Sequence, residues 1–121
     1  MEATMLERIG HIISYTSLEY LIVHSCSNMN IPMSRCQHFL IHLRINDGCN
    51  SLTTFLLDFF PKLELLDLRR CHNLQMISMR PTHNHLMYLI IRECPQFESL
   101  AEGMHILLQF LESLEIKGCP N

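Results

Sequence analysis

The sequence predicts an α/β repeat protein: a right-handed superhelix with a curved parallel β-sheet on its concave face and irregular or short helical segments on its convex side. Three observations predict it. Residues 63–74 read LELLDLRRCHNL, in which the leucines at offsets 0, 3, 5 and 11 and the cysteine at offset 8 have a spacing that suits neither an amphipathic helix nor a continuous strand. The pattern recurs as LEYLIVHSCSNM at 18–29, LIHLRINDGCNSL at 40–52, LMYLIIRECPQF at 86–97 and LESLEIKGCPN at 111–121. The copies start at 18, 40, 63, 86 and 111, so the intervals are 22, 23, 23 and 25 residues.

Each element follows from that unit. Residues 1–17 form a flank in which Met5, Leu6, Ile9, Ile12 and Ile13 make either an apolar helical face covering the first strand or the remnant of an earlier repeat. Residues 18–121 are five repeats, the last incomplete. Within LxxLxL the second and third apolar residues stand two apart, so both point to one face of a short strand while the residue between them points out. Strands more than 20 residues apart cannot pair as hairpins; they run parallel, with a crossover that is right-handed by strong preference. A repeat this small buries its leucines only against its neighbours. The period lies in the window of leucine-rich repeats.

The offset-8 cysteine stands where the chain leaves the strand, a place for a small buried thiol that helps satisfy turn carbonyls. It occupies that offset in four copies, as Cys26, Cys71, Cys94 and Cys119. In the second copy Gly48 takes the offset, with Cys49 and Leu52 each one place late, which predicts a one-residue bulge after the strand. Among the connections, 51–61 with Phe55, Phe59 and Phe60 reads as a short helix or 3₁₀ turn before Pro61. Residues 99–110 read as a longer helical turn broken near Gly103, and 75–85 as irregular.

Composition limits the function. At 121 residues and 48% apolar, the chain has enough apolar side chains for a core. Nine basic against twelve acidic residues give a net charge of −3, which argues for neither a nucleic-acid nor a membrane partner. No apolar run has transmembrane length, and Glu2 and Glu7 stand where a secretory signal carries positive charge, so the expectation is a soluble cytoplasmic protein with reduced cysteines. Cys36-x-His38-x₃-His42 and His83-x-His85 are the tightest metal-like clusters, yet no complete zinc motif is present, and no cofactor is expected. Neither GxSxG nor HExxH occurs, and the chain reads as a non-enzyme.

The wording of the later copies is more specific. LIIRECPQFESLAEGM at 89–104 and LESLEIKGCPN at 111–121 resemble the C-terminal repeats of plant intracellular nucleotide-binding leucine-rich-repeat (NB-LRR) disease-resistance proteins, which commonly read LxxLxIxxCPxLxxLPxGM. The likeness covers about residues 15–121; it departs at Ala101, where the family prefers proline, and at Gln109-Phe110. No GxxxxGK[ST] phosphate-binding loop is present, so the receptors' ATPase switch is not implied. What the resemblance implies is a protein-binding role in plant defence, toward a pathogen effector, a host protein or the nucleotide-binding domain of a receptor. Two alternatives stand beside it: the substrate-recognition repeats of an F-box-type ubiquitin-ligase adaptor, or a truncated gene product with no function of its own.

A partner would meet the outward side chains of the strands. Between the two inward residues stand Ile22, Arg44, Asp67, Ile90 and Glu115; just beyond them come His24, Asn46, Arg69, Arg92 and Lys117. Tyr20 and Tyr88 occupy the first outward position. Arg69, Arg92 and Lys117 bring like charges to consecutive rungs, to be offset by Asp67, Glu115 or an acidic partner. Asp47, Arg70 and Glu93, one place further on, are expected to form an alternating charge ladder.

Overall fold

Two leucines two residues apart can be buried together only if the backbone between them is extended and another layer covers that face. The computed structural model describes residues 2–3, 18–25, 38–78, 86–100 and 111–119. They form mostly parallel β-structure with little helix. In chain order the strands are β1 (Glu2–Ala3), β2 (Tyr20–His24), β3 (His42–Asn46), β4 (Thr54–Leu56), β5 (Leu65–Arg69), β6 (Met76–Ser78), β7 (Tyr88–Arg92), β8 (Ser99–Leu100) and β9 (Ser113–Lys117). A 3₁₀ turn at Leu57–Phe59 follows β4, as expected ahead of Pro61.

One six-stranded sheet runs in the order β1-β2-β3-β5-β7-β9, and β4, β6 and β8 form a second sheet. Every pairing in both is parallel. In the large sheet Leu21, Leu43, Leu66, Leu89 and Leu114 share one rung, and Val23, Ile45, Leu68, Ile91 and Ile116 another, so the LxxLxL copies align position for position. In the first four copies these side chains are at most 1% exposed; in β9, the last strand of the order, Leu114 and Ile116 are each 44% exposed. Burial of each such aliphatic side chain contributes about 1.5–3 kcal/mol.

The second sheet corrects the expectation for the connecting segments. Residues 76–78, expected to be irregular, and 99–100, expected to begin a helical turn, are both strands, and β4 precedes the 3₁₀ turn. The reason is packing: Phe55 of β4 and Ile77 of β6 are fully buried in the same apolar cluster as the leucines of the large sheet. Phe55 and Phe60 stack there with centroids 4.8 Å apart. The predicted helical face from Met5 to Ile13 and the break near Gly103 lie outside the described residues. Glu2 and Ala3 pair in parallel with Ile22 and Val23.

Each strand of a recognised copy is followed by a residue of left-handed backbone: Ser25, Asp47, Arg70, Glu93 and Gly118, with φ between 53° and 71°. The first four donate their N–H to the next strand, Ser25 to Asn46 O, Asp47 to Arg69 O, Arg70 to Arg92 O and Glu93 to Lys117 O, at 2.8–2.9 Å. The cysteine follows. The thiols of Cys71, Cys94 and Cys119 each donate to the carbonyl two residues back, at 3.9, 3.4 and 3.7 Å. The bulge of the second copy is present: Cys49 takes the cysteine's place, since Leu52 N donates to Cys49 O as Leu74 N does to Cys71 O and Phe97 N to Cys94 O. The extra residue is accommodated by a second left-handed backbone, φ 57° at Cys49. Cys26 lies outside the described residues.

Candidate functional site

A strand buried on one side must present its alternate residues on the other. The register turns the predicted outward residues into three rows across the large sheet. Ile22, Arg44, Asp67, Ile90 and Glu115 are mutual neighbours; so are His24, Asn46, Arg69, Arg92 and Lys117. The third row joins Tyr20, His42, Leu65, Tyr88 and Ser113, of which the sequence placed only the two tyrosines on this face. Register alone would have found His42, Leu65 and Ser113. Tyr20, 49% exposed, meets the His42 ring edge-on at 4.8 Å, and Tyr88 donates its hydroxyl to Glu112 at 2.7 Å. That bond, then the Glu112 charge, raises the Tyr88 pKa above its ordinary value.

Asp67 departs from the expectation of an exposed outward residue. It is 2% exposed, because two arginines close over it: Arg44 Nη1 donates to Oδ2 at 3.1 Å and Arg69 Nε to Oδ1 at 2.9 Å. A buried carboxylate is tolerable when both oxygens are satisfied by charge-assisted bonds. Arg92 donates in the same way to Glu115 across β7 and β9. The row of like charges is therefore offset at Arg69 and Arg92 by carboxylates of the same face. That hydrogen bond, followed by the arginine's charge, lowers the Glu115 pKa below its ordinary value.

The charge ladder forms only in part. Arg70 Nε donates to Glu93 at 2.9 Å and holds its carboxyl below the usual range. Asp47 instead meets His72 Nε2, at 3.3 Å.

Over β2, β3 and β5 the face sinks into a depression of about 150 Å³. Ile22, His24, Arg44, Asn46, Asp67 and Arg69 line it, together with the backbone neighbours Val23 and Ile45. The paired arginines remain partly open to solvent, with side-chain exposures of 43% for Arg44 and 35% for Arg69.

A hydrogen bond with the Cys94 thiol and then burial raise the Cys71 pKa above its ordinary value, and the same bond lowers that of Cys94. All four described cysteines are free, and no cluster of three metal-ligating side chains occurs among the described residues. Cys36, His83 and His85 lie outside them. Among the described residues, no helix is long and apolar enough to cross a membrane.

No protein family, curated protein or solved structure matches the chain.

Proposed function

We propose that this chain is a leucine-rich-repeat solenoid, a right-handed superhelix that acts as a non-enzymatic protein-interaction module in the cytoplasm of a plant cell. Its partner would be a pathogen effector, a host protein or the nucleotide-binding domain of a receptor. The disease-resistance context rests on the C-P and E-G-M wording of the later repeats. The binding role rests on one observation: the outward residues of successive copies fall into adjacent, register-matched rows carrying tyrosine, isoleucine and arginine. Such side chains supply most of the energy at protein interfaces, whereas a face serving solvation alone has no need of them.

The test places a photo-crosslinking amino acid at Ile90 and exposes the protein to an extract of its source tissue. A small set of specific protein adducts is expected. They should disappear when Arg69 and Arg92 are both replaced by Glu, at a temperature where circular dichroism shows the variant folded, since Arg69 also holds the buried Asp67. Adducts indifferent to that double replacement would remove the two arginines from the contact.

A further inference from the structure

We infer that the depression over β2, β3 and β5 receives a carboxylate side chain of the partner, an aspartate or glutamate flanked by an apolar residue, held by Arg44 and Arg69. The inference rests on the interaction-module reading and names the chemistry of the partner.

The arrangement around Asp67 carries it. Two guanidinium groups stand side by side although they repel, because one buried carboxylate takes a single bond from each. Asp67 spends both oxygens in doing so and lies at 2% exposure, so it is a brace for the arginines rather than an acceptor offered to a ligand. Each guanidinium has five N–H donors, and one of each is engaged with Asp67, which leaves donors for a further planar acceptor. Their partial exposure, 43% and 35%, leaves them accessible to it from the depression. Fixing the arginines beforehand removes much of the side-chain ordering cost that binding would otherwise carry.

The charge count selects the ligand. Two arginines and one aspartate, with His24 counted neutral as in the chain total of −3, leave the depression with a net charge of about +1. The neighbouring Arg92 is engaged by Glu115 and adds little. A monoanionic carboxylate neutralises that single charge. A dianionic phosphate would leave a negative excess beside Asp67 in a partly desolvated site. Ile22 at the margin suits an apolar residue next to the acid, and about 150 Å³ accommodates one acidic side chain rather than a folded element.

Random dodecapeptides displayed on phage would be selected on the whole chain, and the tightest synthesised with each acidic residue in turn made neutral. Selected peptides should share an Asp or Glu beside an apolar residue. Neutralising that residue should weaken binding at least tenfold, as should Arg44→Gln or Arg69→Gln. Because those two variants uncover Asp67, Asn46→Glu provides a second route: it leaves both bridges intact, places a resident carboxylate at the depression, and should weaken the same peptides. Arg70→Gln removes the same unit of charge outside the depression and should change affinity less than twofold. Peptides that need the strand face, being lost on the Arg69→Glu, Arg92→Glu double replacement, yet bind equally well without the acid would overturn the carboxylate inference and leave the interaction reading standing. Tighter binding of a phosphoserine version would overturn it equally. Peptides with no dependence on the strand face would count against the interaction reading itself.

Discussion

At the position closing each strand, the backbone requirement is a left-handed φ and the residue filling it varies: Ser25, Asp47, Arg70, Glu93 and Gly118. Only glycine adopts that conformation without a steric cost to Cβ, which for other residues is roughly 1–2 kcal/mol. The non-glycine residues are held there by the hydrogen bond each donates to the next strand. Gly118→Ala should therefore lower stability by about 1 kcal/mol, read as a shift in the urea midpoint. The added methyl would also sit 3.3 Å from Glu93 Cγ and 3.4 Å from Glu93 N. Ser25→Gly relieves a strained φ at an exposed site, but it also frees the unfolded chain. Its expected effect is a gain of about 0.5 kcal/mol, opposite in sign. Equal losses at both positions would mean that φ is not the governing term.

The strand is the element whose energetics depend most on position in the array. Leu89 and Leu114 are the same residue at the same offset, yet Leu89 is fully buried between β5 and β9 whereas Leu114 is 44% exposed. Leu89→Ala should cost about 2–5 kcal/mol. Leu114→Ala should cost well under half of that, because much of its surface already faces water. Denaturant titration of both variants checks the ratio, and similar losses would show that Leu114 is covered in solution.

These five strands were legible because LxxLxL commits two side chains to one face, a local signal repeated at constant offset. The second sheet was not, since TFL, MIS and SL are too short to show alternation and are extended by packing on the large sheet. The left-handed column was hidden for a different reason: its residues share a backbone conformation and no chemistry. Membership of the outward rows could be read from spacing alone. The burial of Asp67 could not, because it depends on Arg44, which is 23 residues away in sequence and one strand away in space.

Across the whole molecule, polar links on the strand side join one copy to the next. Arg44–Asp67, Arg70–Glu93 and Arg92–Glu115 each span 23 residues, and the turn hydrogen bonds run the same way. Weakening these links loosens the contacts between the neighbouring strands they join. Acid does this with a definite sign. Glu93 and Glu115 have folded pKa values below the ordinary 4.5, through their hydrogen bonds to Arg70 and Arg92 and then the arginine charges. A depressed carboxylate contributes stability that is fully present above its unfolded value and is lost as pH falls through its folded value. Stability should thus hold near pH 7, begin to fall below about pH 5, and continue falling until both groups are protonated. Tyr88 acts at the other end: its folded pKa is raised above 10.0 by Glu112, so its contribution is present below that value and lost as pH rises past the folded one. Both pairs are solvent-facing, so salt screens them and the slopes should be shallower at 1 M salt than at 0.05 M. Thermal midpoints measured from pH 7 to pH 3, for the wild-type chain and for Glu93→Gln with Glu115→Gln, isolate the effect. The double variant should start less stable and lose less on acidification. Parallel curves for the two proteins would mean that these ion pairs do not couple the repeats, and that burial of the leucines alone carries the array.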